Sequence, residues 1–315
     1  MLLPGPVPQG GHVTRSAVIV NPSKVVDLDE RRREICAALA AANWPEPLWL
    51  ETTPDDPGCG MAVQAVAEGV DVVLACGGDG TVMAVASVLA GTGIALALIP
   101  SGTGNLLATN FGITRDVRAA LDVAISGARR RIDVGVVEGA DTVTGHPGTF
   151  TVMAGMGFDA AMVGETPDDR KRRFGWVAYV VSGLRNLHRR RMPLRIRLDG
   201  GRWMHRRASS VLVANVGRLQ GGIPLLPDAA PDDGWLDVAV LTPRDITDWA
   251  QLAWGVVLRW GRTPRLETFR ARRVEVLTSR AEPRELDGDV VAPARRLMAE
   301  IVPGALLLCV PAERG

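Results

Sequence analysis

With 315 residues, 47% of them apolar, the chain is long enough to bury a sizeable core, and two domains are expected. Its 36 basic and 35 acidic residues leave a net charge of +1, which argues against an extended nucleic-acid surface. Lys24 and Lys171 are the only lysines, so a lysine-dependent phosphate site has almost no candidates.

In chain order, residues 1–14 read as a loose tail, too rich in Pro and Gly for a secretory leader. Residues 16–20 read as a short strand with Asn21-Pro22-Ser23 as its turn. A helix over 29–42, a break at 54–58 and a helix over 61–68 follow. Residues 70–76, VDVVLAC, are dense enough in branched side chains to predict a buried strand. Then come a helix over 81–89, an apolar strand over 94–99, a short helix capped by Asn105, and a helix over 116–126. This alternation predicts a mostly parallel sheet covered by helices.

After Arg129-Arg130-Arg131 the texture changes. Residues 132–138, 149–154, 194–198, 208–216, 236–241 and 273–277 are short, strand-like and separated by Gly, Pro or Asp. One helical insertion is expected over 174–187. The domains expected are therefore α/β over 1–130 and mainly antiparallel β over 131–304. The run at 305–310 is a strand of either domain, with 305–315 a candidate to return to the first. Cys36, Cys59, Cys76 and Cys309 lack paired spacing and suggest reduced thiols; no His/Cys cluster resembles a zinc site. No run of 18 apolar residues predicts a membrane-spanning helix, so an intracellular chain, soluble or peripherally attached, is expected.

Two glycine turns carry the chemistry. Gly77-Gly78-Asp79-Gly80-Thr81 lies at a strand-to-helix junction, where glycines let backbone N–H groups approach a phosphate and the helix N-terminus favours negative charge. Asp79 suits such a place if it holds magnesium against nucleotide oxygens. The turn is neither a Walker A loop nor a dinucleotide fingerprint, and a structural turn with Thr81 as cap is the plain alternative. Ser101-Gly102-Thr103-Gly104-Asn105 repeats the arrangement after the next strand. Open parallel sheets place ligands outside the carboxyl ends of their strands, so both turns, Asn21 and Thr52 or Thr53 should converge there.

In the second half, Asp228, Asp232, Asp233 and Asp237 crowd around glycine and proline, as an oxygen-rich magnesium site or as a solvated turn. Leu286-Asp287-Gly288-Asp289 offers two carboxylates, either of which can accept a hydroxyl proton. Asp-Gly is also a standard hairpin signal, and the two readings are compatible.

GGDGT at 77–81, GTGNLLA at 102–108, GMGFDA at 155–160, KRRFGWVAYVVSGLRNL at 171–187, ANVGRLQGG at 214–222, LPDAAPDDGWLDV at 226–238 and LDGD at 286–289 form an ordered set. The set resembles the bacterial soluble diacylglycerol kinase family, related to sphingosine and ceramide kinases and more distantly to NAD kinase and phosphofructokinase. The resemblance implies a three-layer α/β nucleotide-binding domain followed by an antiparallel β-sandwich domain, with the active cleft between them. It assigns ATP to the first glycine turn, Asn21, a threonine at 52 or 53, and Thr103. It assigns a structural magnesium to Asp233 with the carbonyls of Ala230 and Trp235. It makes Asp287 and the acidic residue two places on the catalytic pair. The family usually has Asp-Gly-Glu there, whereas this chain has Asp289, one methylene shorter.

The mechanism expected is ATP-dependent phosphorylation of diacylglycerol or a related lipid. Asp287 is the preferred base, Asp289 shares or organises, and Asp79 works with magnesium on the β- and γ-phosphates. Basic residues flanking the segment at 174–187 suggest peripheral contact with the inner face of the membrane. Other acceptors (a sphingoid base, NAD or a soluble alcohol) and a non-catalytic lipid-binding protein are the alternatives, and a homodimer stays open.

Overall fold

The computed structural model describes residues 2–3, 13–139, 148–157, 191–218, 225–243, 247–248 and 265–312. The chain divides into two units: Met1–Val134 with Val143–His146 and Pro303–Gly315, and Gly135–Thr142 with Pro147–Val302. The expected helix at 174–187 and its basic flank at 170–173 lie outside the described residues, as do 158–160 and 219–222 of the motifs above.

In the first unit, β1 (Leu2–Leu3) pairs antiparallel with Arg130 and Arg129 at the start of β6 (Ala128–Val137). The opening stretch is thus tied at one point, where a loose tail was expected. The unit's centre is a parallel sheet. β2 (Ser16–Val20) lies between β3 (Leu48–Glu51) and β4 (Val72–Gly77), and β4 pairs with β5 (Ala95–Pro100). Every residue of β2, β4 and β5 is buried, as a parallel sheet covered on both faces demands. β3 is only partly buried. Its apolar run is only Leu48-Trp49-Leu50, too short to mark a strand, which is why the sequence showed none there.

The helices are α1 (Leu28–Ala41), α2 (Cys59–Ala67), α3 (Asp79–Leu89), α4 (Leu106–Asn110) and α5 (Val117–Ser126). Asp27 caps α1 by accepting the Glu30 N–H at 2.8 Å, and Asp116 caps α5 by accepting that of Ala119 at 2.8 Å. α3 packs on β4, and α5 packs on β5.

The second unit is antiparallel and sandwich-like. It contains β7 (Gly148–Phe150), β8 (Met153–Met156), β9 (Met192–Leu198), β10 (Met204–Ala208), β11 (Ser210–Ala214), β12 (Leu236–Leu241), β13 (Leu266–Ala271) and β14 (Arg273–Leu286). The order β13-β12-β11-β8-β14 runs through it, with β9 on β14 and β10 on β9. In β9, Met192, Leu194 and Ile196 are buried while Pro193 and Arg195 are exposed, the alternation of a strand with one wet face.

The last strand, β15 (Asp289–Val310), is 22 residues long and pairs with β14 from Leu286↔Asp289 to Arg273↔Glu300. It then runs parallel to β5 through Leu307 and Leu308. The strand expected over 273–277 is therefore the start of a longer one, and that at 305–310 is the end of one. The single strand expected over 208–216 is replaced by β10 and β11, which Ser209 separates.

Candidate functional site

In the first unit, four adjacent parallel strands end together, so Asn21, Thr52, Gly78 and Ser101 follow the carboxyl ends of β2, β3, β4 and β5. Asn21 donates its main-chain N–H to the Cys76 carbonyl at 2.9 Å and its side-chain amide to the Thr81 hydroxyl at 3.4 Å. Its Oδ1 accepts from the main chain and hydroxyl of Ser23, at 3.0 and 2.7 Å. Thr52 is buried and donates its N–H to Val20. Thr53 is exposed, and its hydroxyl accepts the Asp56 N–H at 3.1 Å.

The two glycine turns touch. A Cβ added at Gly102 would lie 2.5 Å from the Gly78 Cα, closer than two carbons can approach. The Ser101 N–H donates to the Gly77 carbonyl at 2.9 Å. Asp79 spans the remaining gap: its Oδ2 accepts the Asn105 N–H at 2.8 Å and its Oδ1 that of Leu106 at 2.5 Å. A carboxylate 26 residues upstream thus caps α4, while Asn105, left-handed at φ 49°, instead exchanges side-chain hydrogen bonds with the main chain of Gly102. Burial raises the Asp79 pKa, and the Leu106 and Asn105 N–H groups oppose that rise. Thr103 is exposed, and its carbonyl accepts from Arg115.

The N-terminus of α3 is different. Gly78 is its N-cap and supplies no side-chain hydrogen bond, so its first N–H groups have no cap from that residue. Gly80 and Thr81 lie in this first turn, with Thr81 buried beneath it.

In the second unit, Asp287 and Gly288 form the two-residue turn between β14 and β15, both at positive φ (48° and 94°), the conformation of a type I′ hairpin. The Asp287 side chain is buried among donors. Its Oδ2 accepts from the main-chain N–H and the hydroxyl of Thr151, at 2.8 and 2.9 Å; its Oδ1 accepts the N–H groups of Val152 and Met153, at 2.9 and 2.8 Å. Burial pushes its pKa up to about 6 even though these donors favour the charged form. Asp289, at the start of β15, is exposed. Glu285, buried two residues before the turn, is pushed up to about 7 by burial and, second, by the charge of Asp287. No motif marked Glu285 in the sequence, and because Arg284, Glu285 and Leu286 are all buried, no period-two alternation singles it out.

Asp233 accepts the Trp235 N–H at 3.0 Å and pairs with Arg270, whose Nε lies 3.5 Å from Asp237 Oδ1. The Asp237 pKa is raised to about 6, by burial first. Its Oδ2 is buried without a hydrogen-bond partner, the condition of an acceptor that a cation would satisfy. Among the described residues, no group of three acidic, His or Cys side chains gathers to hold a metal. A magnesium ion at Asp233 and Asp237 would therefore need main-chain carbonyls and water to complete its shell, and Ala230 and Trp235 stand in that loop.

The structure thus gathers Asn21, Thr81, Gly78, Asp79, Gly102 and Asn105 at one sheet edge. Asp287 and Asp289 share a hairpin, and Asp233 belongs to a separate acidic loop.

Comparison with known proteins finds two family models along the chain. Residues 15–137 match the diacylglycerol kinase catalytic domain, and 151–310 match the YegS C-terminal NAD kinase beta sandwich-like domain. The chain is 34% identical to the "Probable lipid kinase YegS-like" protein of Stenotrophomonas maltophilia (strain K279a) over 79% of its own length and 82% of that protein's. It is 33% identical to a diacylglycerol kinase of Mycobacterium tuberculosis (strain CDC 1551 / Oshkosh), over 57% of this chain and 58% of that one. The fold is shared with the crystal structure of a diacylglycerol kinase from Bacillus anthracis str. Sterne: TM-score 0.75, 24% identity, covering 96% of this chain and 98% of that one.

Proposed function

Since the chain belongs to the bacterial soluble lipid kinase family of diacylglycerol and YegS-type kinases, we propose that it transfers the γ-phosphoryl group of ATP to the free hydroxyl of diacylglycerol or a related lipid. The observation that carries this reading is the glycine-capped start of α3, held at the carboxyl edge of the parallel sheet where two glycine turns meet. Backbone N–H groups at a helix N-terminus are suited to phosphate, and side-chain-free turns let it come close. Asp79 works from behind: its oxygens are engaged by Asn105 and Leu106, so it fixes the second turn against the first. Asn21, Thr81 and Ser101 border the same edge, and Thr52, Thr53 and Thr103 are further candidates for the nucleotide.

Of the catalytic pair, Asp287 has four donors on its two oxygens and acts as the anchor of the hairpin. We assign proton removal to Asp289, the exposed carboxylate of the two. As the lipid hydroxyl loses its proton to Asp289, its oxygen attacks the γ-phosphorus and ADP leaves. Magnesium, when bound with the nucleotide, would supply neutralisation of phosphate oxygens, and Asp233 and Asp237, with the Ala230 and Trp235 carbonyls, would hold a structural ion.

The decisive experiment incubates the protein with radiolabelled ATP, magnesium and extracted membrane lipids, with sphingoid base and NAD as separate acceptors. A labelled product comigrating with phosphatidic acid is expected. Label in NAD alone, or in no acceptor, overturns the proposal.

A further inference from the structure

The second unit contains a cavity of about 750 Å³ whose lining residues, apart from Arg191 of the basic flank after 174–187, lie outside the motifs described above. Its walls carry five arginines, Arg191, Arg195, Arg206, Arg207 and Arg265, against one carboxylate, Glu267. Glu267 is already paired with Arg206 at 2.8 Å, and Arg265 pairs with Asp248 at 3.1 Å. For Arg191, Arg195 and Arg207 the described residues supply no carboxylate within ion-pair distance.

The strand register brings these charges together. Arg195 on β9 faces His205 on β10, and Arg207 faces Pro193. Arg207 therefore lies diagonally between Arg195 and Arg191, a spacing of roughly 7–8 Å across an antiparallel pair. Guanidinium groups gathered on one face concentrate positive charge there, which draws a negatively charged ligand. Arg195 is braced from the side, its guanidinium lying 5.3 Å from the centre of the Trp203 ring, so part of its ordering is already in place. Planar guanidinium groups grip phosphate through paired N–H bonds. Three of them without carboxylates suit a group of charge near −2 better than a singly charged diester.

We propose that this cavity is a binding site for a phosphomonoester, separate from the nucleotide turns and from the 287–289 hairpin. The same chemistry is offered by the headgroup of a phosphatidic-acid-type lipid and by a soluble phosphomonoester, and the test separates them.

Binding is measured without ATP, which makes the result independent of the kinase assignment. The probes are vesicles of neutral lipid containing phosphatidic acid, matched vesicles containing phosphatidylglycerol, and glycerol 3-phosphate in solution. The variants are R195A, R207A, the charge-preserving pair R195K and R207K, and R118A, at an exposed position of α5, as a charge control. Wild type should prefer the monoester over the diester vesicle, and each alanine variant should lose about tenfold in affinity for the monoester, with R118A unchanged. The lysine variants should keep their fold and lose part of the preference, because the fork is gone. Loss confined to vesicles identifies a lipid headgroup; loss confined to glycerol 3-phosphate identifies a soluble ligand. Unchanged binding of both probes by all four cavity variants, or an equal loss in R118A, overturns the proposal.

Discussion

Thr151 gives Asp287 two hydrogen bonds, one from its main-chain N–H at 2.8 Å and one from its hydroxyl at 2.9 Å. With Val152 and Met153 on the other oxygen, the 151–153 corner is wrapped around a single carboxylate 134 to 136 residues further along the chain. Removing it leaves buried N–H groups without acceptors, and hydrogen bonds to a charged group are the strong ones. D287A should lower unfolding stability by about 3 kcal/mol or more. D287N, whose amide turns one donor against these N–H groups, should do nearly as much. A urea titration showing wild-type midpoints for both would remove the anchoring role.

Asp289 gives the opposite pattern. It is exposed at the end of the hairpin, so D289N should leave the urea midpoint within about 0.5 kcal/mol of wild type. Turnover should fall by roughly 10²–10⁴, the usual contribution of a positioned base. D289E restores the carboxylate on a longer arm at a site open to solvent and should remain active. Steady-state kinetics with dispersed diacylglycerol, read beside the urea curves, checks both; normal turnover in D289N returns the base to another residue.

Much of this was legible because its cause is local. β4 and β5 are covered on both faces and so read as unbroken apolar runs, and the glycine turns after them punctuate the pattern. The Asp287-Gly288 hairpin followed from two positive φ values that few residue pairs accept. β15 was not legible beyond its end. Its first half carries Pro293, Arg295 and Arg296 with several exposed positions, and its pairing with β14 shifts register between Leu277 and Arg284. No single period survives such shifts. Asp79 is a subtler case. A carboxylate inside a glycine turn suggests a cation when read from the sequence, while the long-range contact with Asn105 and Leu106 could be read only from the folded chain.

The buried carboxyls set a direction for pH dependence. Burial, and then the charge of Asp287, moves Glu285 from 4.5 to about 7. A raised carboxyl pKa means that the folded state binds the proton more tightly than the unfolded state, so stability falls as pH rises between these values. Asp237, raised to about 6, adds in the same sense. The chain should therefore be less stable at pH 8 than at pH 5.5, with Glu285 contributing on the order of 2 kcal/mol. E285Q removes the ionisation, so it should flatten the slope and stabilise the protein at pH 8. An unchanged slope in E285Q would assign the dependence elsewhere.

The contact between the glycine turns gives a direct test of the proposed nucleotide site. A methyl at Gly102 would meet the Gly78 Cα at 2.5 Å, a main-chain atom that cannot rotate away, so G102A must push the turns apart. That shift draws Asn105 and Leu106 from Asp79 and changes the ground on which the start of α3 stands. Gly91 is the control. It has φ +81° and nothing within 4 Å of an added Cβ, so G91A carries backbone strain of about 1 kcal/mol without touching either turn. Titration calorimetry with magnesium and ATP should show at least about a tenfold loss of affinity in G102A, as expected when a site moves by near 1 Å, and wild-type affinity in G91A. Equal affinity in the two variants would mean that the meeting of the turns plays no part in holding the nucleotide, and phosphate binding at α3 would lose its structural basis.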